Sequence, residues 1–239
     1  MRSRPATSCS PPDVGLLDLI FPPRCGGCGR QGQDFCEPCA ISLEPVAVTS
    51  LHGIPLVAAG RLSGPLQRAI HTYKYRPRPQ LAGRLADPLG MAVVAAGLSL
   101  PALTFVPLHP RRQRERGFNQ AERLAGRLGA SLRVPVVGGL TRLRPTPAQV
   151  GLGQAERQVN VAGAFRWTAP QPPPHGLGLV DDVCTTGATL DAVARVVAEA
   201  GGSIGAFLVL AVAQTLPRPP VTSPGTVRLS ANSGLGDCD

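Results

Sequence analysis

Apolar positions fall into short runs separated by turn residues. Ile54–Leu62 (IPLVAAGRL), Leu103–Val106, Val134–Val137, Leu177–Val180 and Ile204–Ala213 are near-continuous apolar stretches bounded by Gly, Pro or charged residues, the pattern of buried strands. Between them the period changes. Leu66, Ala69, Ile70 and Tyr73 recur at helical spacing within Pro65–Tyr75, and Leu81–Ala96 continues as helix, with Pro88 a break or a new start. A helix is expected over Gln120–Leu128 with Asn119 as its cap, and another over Thr189–Ala200, ended by Gly201-Gly202. Val14–Ile20 predicts a short amphipathic helix. Strands alternating with helices predict an α/β fold: a parallel sheet flanked by helices, with ligands beyond the carboxyl ends of the strands.

Composition limits this picture. With 239 residues, the chain is long enough for one medium domain and a small appendage. The 28 Gly and 26 Pro approach a quarter of all residues, so loops and loose tails are expected. Residues 1–13 and 214–239 read as disordered tails, 14–50 as a small cysteine-bearing segment, and 51–213 as the main domain. No stretch reads as a spanning helix, and no apolar run follows Arg2 and Arg4, so the expectation is a cytoplasmic protein without membrane insertion. The net charge of +9 suits polyanionic partners, yet Lys74 is the only lysine, and so strong an Arg bias looks compositional. Aromatics at 4% weaken any proposal of extensive base stacking.

Of seven cysteines, four form Cys25-Gly-Gly-Cys28 and Cys36-Glu-Pro-Cys39. Two such knuckles bring four thiolates to one point, which suits tetrahedral Zn2+. Gly26, Gly27 and Gly29 permit the tight turns. Disulfides and a redox CxxC are the alternatives. Neither a secretion signal nor a strand–CxxC–helix context supports them, and ligand type and spacing favour structural zinc. Cys9 and Cys238 fall in the tails.

The most informative stretch is Gly178-Leu-Val-Asp181-Asp182-Val-Cys184-Thr185-Thr186-Gly187-Ala188-Thr189. A strand ends in two carboxylates, and a Thr/Gly loop then opens a helix. Successive N–H groups of such a loop make an anion cradle, the Thr hydroxyls add donors, and the carboxylates can accept from sugar hydroxyls. A phosphate and a vicinal diol one sugar apart describe a ribose 5-phosphate. An ordinary strand-to-helix turn with acids favourable to the helix dipole would need neither the second acid nor the TTG loop.

Residues 177–189 resemble the PRPP-binding motif of type I phosphoribosyltransferases. By that resemblance Asp181 and Asp182 contact the ribose 2- and 3-hydroxyls, and Cys184, Thr185, Thr186, Gly187, Ala188 and Thr189 hold the 5-phosphate. The order of double CxxC, Tyr73-Lys74-Tyr75, VPLHPRRQRERGFNQAERLA (106–125), Arg142–Phe165 and the PRPP motif resembles the ComF/GntX family over about residues 14–213. The resemblance implies a phosphoribosyltransferase-like fold with Mg2+ accompanying PRPP. It also implies transfer of the phosphoribosyl group to an unidentified nitrogenous acceptor, with pyrophosphate released and no protein nucleophile.

Several positions stay open between this role and a plain one. Arg111 and Arg112, like Arg114 and Arg116, lie in a basic loop (Arg111–Gly117) where pyrophosphate would sit, and a solvated loop is the alternative; Arg116 belongs to the most family-specific stretch. Lys74 reaches a phosphate or is a surface lysine. Cys184 is better read as a packed small residue than a nucleophile, because no His is near in sequence. His71 and His109 read as packing or surface residues. Thr146, Gln149, Arg157 and Asn160 belong to a segment that the resemblance makes a mobile loop over PRPP. The rival class is a non-enzymatic competence or DNA-uptake module that binds DNA, meets competence proteins or senses PRPP; the family name and the pairing of knuckles with a basic loop raise it.

Overall fold

A computed structural model describes residues 22–76, 78–144 and 163–213. The helix expected at 14–20, both tails with Cys9 and Cys238, and Thr146, Gln149, Arg157 and Asn160 lie outside the described residues.

Five strands form one sheet in the order β1-β2-β7-β6-β3. They are β1 (Thr49–Leu51), β2 (Ile54–Arg61), β3 (Leu103–Phe105), β6 (Leu177–Cys184) and β7 (Ile204–Val212). All neighbours are parallel except β1, which adds an antiparallel edge through a tight hairpin at His52-Gly53. A separate antiparallel pair joins β4 (Leu140–Arg142) to β5 (Phe165–Trp167). The helices are α1 (Glu37–Ile41), α2 (Gly64–Tyr75), α3 (Leu81–Ala95), α4 (Pro110–Arg116), α5 (Gln120–Leu132) and α6 (Ala188–Glu199).

The central strand β7 shows why its run is apolar throughout. Ala206, Leu208 and Leu210 pack with α2, α3 and α5 on one face, and Phe207 and Val209 pack with α6 on the other. Cys25, Phe35, Cys36 and Cys39 join the first of these cores, so the cysteine segment packs directly on the main sheet's helices.

Four expectations change. Pro88 lies inside α3 and does not break it: only one backbone bond is lost, and its ring is buried with Leu85 and Leu89. Arg111–Gly117 is no loop but the helix α4, with Pro110 in its first turn and Gly117 closing it at φ 80°. Val134–Val137 contributes a single bridge, Val136 to Leu103, and no strand. The strand expected to stop at Val180 runs on to Cys184, because Asp181 and Val183 still pair with Val209 and Ala211.

The capping residue behaves as its sequence position requires. Asn119 Oδ1 accepts from Ala121 N at 3.0 Å, and its Nδ2 donates to Val106 O at 3.1 Å. One buried side chain thereby starts α5 and fixes it to the end of β3. Asn119→Ala is expected to lower unfolding free energy by about 1–3 kcal/mol in urea titrations; a loss below about 0.5 kcal/mol would contradict that double role.

Candidate phosphoribosyl site and cysteine knuckle

β6 delivers two adjacent carboxylates at its carboxyl end, and alternation sends them to opposite faces. Asp182 meets Lys74 Nζ at 2.8 Å. Both groups are largely enclosed, their side chains 15% and 22% exposed, so Lys74 is an enclosed partner of Asp182 and not a solvated surface lysine. Asp181 accepts the Asp182 amide at 2.8 Å and lines the concavity formed with 183–190. Burial pushes its carboxyl up to about 7 and the charge of Asp182 adds to this, while that amide bond, Lys74 and Arg142 pull the other way.

Lys74 is placed by its neighbour. Tyr73 Oη donates to Gln120 O at 3.0 Å, and Gln120 Nε2 donates to Tyr73 O at 3.4 Å. This reciprocal tie fastens the last turn of α2 to the first of α5. It also sets Tyr75 under the Arg116 guanidinium, 5.5 Å from the ring centre, while Arg116 Nη1 donates to Gln120 Oε1 at 3.1 Å.

Beyond Cys184 the chain turns through Thr185-Thr186-Gly187 into α6. Gly187 has φ +83°, and a Cβ there would collide with Leu51 of the β1–β2 hairpin, so glycine is required twice over. Among the described residues, the amides of Thr185, Thr186, Ala188 and Thr189 meet no protein acceptor. They form an open cradle at the start of a twelve-residue helix. Beside the hairpin, His52 Nε2 sits 3.0 Å from Asp191 Oδ2. Cys184 is buried, and burial, then the charges of Asp181 and Asp191, push its thiol up to about 12, against a nucleophilic role.

The basic residues divide. Arg111 makes an exposed ion pair with Glu115 at 3.0 Å. Arg112 and Arg116 instead lie close enough to a buried third arginine, Arg142 on β4, to lower its pKa after the larger effect of burial, and Asp181 opposes them. Arg142 is 8% exposed, with its guanidinium 5.2 Å from the Phe165 ring centre. Sequence reading did not single out Arg142 as a site residue, nor Tyr73 and Gln120 as the residues that position Lys74. The signal was weak: β4 and β5 are three residues each and far apart in the chain.

The four cysteine sulfurs lie within 4.8 Å of one another, with Cys25–Cys39 at 3.8 Å and Cys28–Cys36 at 3.6 Å. Tetrahedral bonds of about 2.3 Å put sulfurs about 3.8 Å apart. A disulfide needs about 2.05 Å. Burial raises the Cys25 thiol, but amides of Cys36, Cys28 and Gly27 outweigh it and hold it at about 6; burial and the three other cysteines push Cys39 far up. Four thiols this close cannot all ionise without a cation, so the set fits a metal ion such as zinc. Gly27 is needed for room: a Cβ would lie 3.1 Å from Cys39 Sγ.

These features define an α/β protein with a mostly parallel, helix-flanked sheet, a loop of open amides at one strand's carboxyl end and a four-cysteine cluster near its N-terminal side. The chain belongs to the Competence protein F family. It is 32% identical to Competence protein F of Haemophilus influenzae over 75% of this chain and 80% of that protein. It is 34% identical to the DNA utilization protein YhgH of Escherichia coli K12 and to that of Salmonella typhimurium, over 75% of this chain and 79% of each. No protein-family model matches. A solved structure titled as an analysis of an invariant aspartic acid in HPRTs, glutamine mutant, is 14% identical and covers 63% of this chain and 75% of that one, with a TM-score of 0.32. A likeness that loose carries no argument about the reaction. Among the described residues, no helix is long and apolar enough to cross a membrane.

Two outcomes are expected. A carboxyl raised to about 7 in the fold holds a proton that the unfolded chain releases near pH 4, so Asp181 costs stability as pH rises from about 4 to 7. Asp181→Asn should therefore exceed wild type in urea midpoint at pH 8, with the gap closing toward pH 4; a gap that widens on acidification would reverse the assignment. Elemental analysis of purified protein should find close to one zinc per chain, falling in Gly27→Leu. Below half an equivalent in wild type, the knuckle is not a zinc site.

Proposed function

We propose that the protein binds phosphoribosyl pyrophosphate at the carboxyl end of β6 and transfers its phosphoribosyl group to a nitrogenous acceptor, releasing pyrophosphate. One observation supports this above the others: the Asp181–Asp182 pair borders a loop whose amides meet no acceptor among the described residues. Thr185, Thr186, Ala188 and Thr189 donate to the 5-phosphate, with the α6 N-terminus behind them. Asp182, paired with Lys74, and Asp181 accept from the ribose hydroxyls. Arg112, Arg116 and Arg142 form the positive wall for the pyrophosphate. A Mg2+ ion bound with the substrate would neutralise the leaving group. Displacement at C1 needs no protein nucleophile, which agrees with a thiol at Cys184 too basic to serve. The protein's work is positioning and charge stabilisation. In the knuckle, Zn2+ held by Cys25, Cys28, Cys36 and Cys39 is structural, since all four positions are filled by protein.

The names of the relatives favour a second reading, a DNA-handling or competence module that keeps the PRPP site as a sensor. Turnover separates the two: release of pyrophosphate from PRPP in the presence of an amine, ammonia or a free base belongs only to the first.

Calorimetric titration with PRPP and Mg2+ tests the shared step. Wild type should bind, Asp182→Ala should bind at least tenfold more weakly, and Cys184→Ala should match wild type. Equal heats from wild type and Asp182→Ala would remove the site.

A further inference from the structure

The hairpin between β1 and β2 closes over the start of α6 with a residue that the proposed reaction does not employ. Its turn is His52-Gly53, with φ of 51° and 82°. A two-residue type I′ turn requires positive φ at both central residues, and histidine is among the side chains enriched there. So tight a turn brings two consecutive side chains onto one helix. Leu51 fills the space that Gly187 leaves by having no Cβ. His52 Nε2 sits 3.0 Å from Asp191 Oδ2.

Asp191 is a costly residue at its position. It stands in the first turn of α6, where a carboxylate favours the helix dipole but opposes any anion held on the amides before it. At a rise of about 1.5 Å per residue it is only about 4.5 Å along the axis from Ala188. Its charge is felt where the loop begins: after burial and the charge of Asp181, Asp191 also pushes up the Cys184 thiol at the end of β6. The Asp191 side chain is 12% exposed, so water screens it little, whereas His52 is 68% exposed and exchanges protons freely with solvent.

Burial raises the Asp191 carboxyl, and His52, then Arg195, pull it back. His52 reaches it from outside the helix and Arg195 from within. Of the other elements packed on α6, β5 brings Arg166, β6 brings the acidic pair and the Cys184 thiol, and β7 brings no charge.

We infer that His52 is a positioning residue for the 5-phosphate: its imidazolium masks the Asp191 carboxylate, and the hairpin it anchors holds Leu51 against the Gly187 turn. This rests on the phosphoribosyl reading of the 185–189 loop and adds to it a pH-sensitive group on a separate element. With His52 charged, its pair with Asp191 is neutral and the phosphate faces donors alone. With His52 neutral, an uncompensated negative charge stands behind the cradle. Affinity for the phosphate therefore falls as His52 loses its proton, and imidazole is the side chain that does so between pH 5 and 8. A purely structural pin behaves differently, because it needs the hydrogen bond and is weakened by loss of either partner.

Calorimetric titration with PRPP and Mg2+ at pH 6 and pH 8, in dilute salt, separates the two. His52→Gln should bind about threefold to tenfold more weakly than wild type at pH 6, and within about 1.5-fold of it at pH 8. Asp181 and the ligand's own phosphates titrate in both proteins, so the ratio of the two affinities isolates His52. His52→Lys, charged at both pH values, should keep its advantage over His52→Gln at pH 8. Asp191→Asn should bind at least as tightly as wild type at pH 8, and adding His52→Gln to it should change affinity by less than about 1.5-fold. Urea midpoints check each fold; should His52→Gln lose it, His52→Lys and Asp191→Asn decide. The inference is overturned if His52→Gln matches wild type at pH 6, if its deficit is equal at both pH values, or if Asp191→Asn weakens binding as His52→Gln does. Those results leave the phosphoribosyl site standing as long as Asp182→Ala still weakens binding. A wild type that binds no PRPP removes the site and His52's role together.

Discussion

Two carboxylates on consecutive residues of a largely buried strand cannot both stay ionised unless cations are brought to them. Much of the arrangement around β6 serves that constraint. The single lysine of the chain is spent on Asp182, and the last turn of α2 is bolted to α5 by Tyr73 and Gln120 so that this lysine stays in place. Burial, and then the charge of Asp182, push the Asp181 carboxyl up to about 7. The two carboxylates therefore sit in unlike surroundings, Asp182 against a lysine and Asp181 against the open loop.

The same helix carries the second structural load. Its exposed side holds the knuckle by Arg68 to Gly27 O and Thr72 to Gly26 O at 3.5 Å, and its buried side holds Leu66, Ala69 and Ile70 in the core. The cysteine segment has few apolar residues of its own. It uses Phe35 and the cysteines themselves as core, packed on that helix, and a bound metal would supply folding energy that so small a segment cannot gain by burial alone.

What could be read from the sequence follows from how local each signal is. The strand–Asp–Asp–TTG–helix stretch is contiguous, so the order of its elements was legible, although the strand runs on through both carboxylates to Cys184. The CxxC pairs were legible for the same reason. The basic stretch after His109 was not read as a helix, because five of its seven helical residues are charged and α4 buries none of them, leaving no apolar period to detect. β4 and β5 escaped notice because three-residue strands paired across a long interval leave no pattern in either piece. The role of Lys74 was undecidable locally: only the fold brings residue 74 to residue 182.

Lys74 shares its helix with the residues that hold the knuckle. α2 is twelve residues long, about 18 Å. Along it, Arg68 and Thr72 answer to the knuckle, and Tyr73, Lys74 and Tyr75 answer to α5, Asp182 and Arg116. A helix transmits displacement as a rigid element, because its backbone bonds resist bending more than side-chain contacts resist sliding. The Gly26 and Gly27 carbonyls and the Asp182 carboxylate are thus held by side chains of one helix. The cysteine segment is thus more than an appendage beside the main fold: it is the far anchor of the helix that carries the ion-pair partner of Asp182.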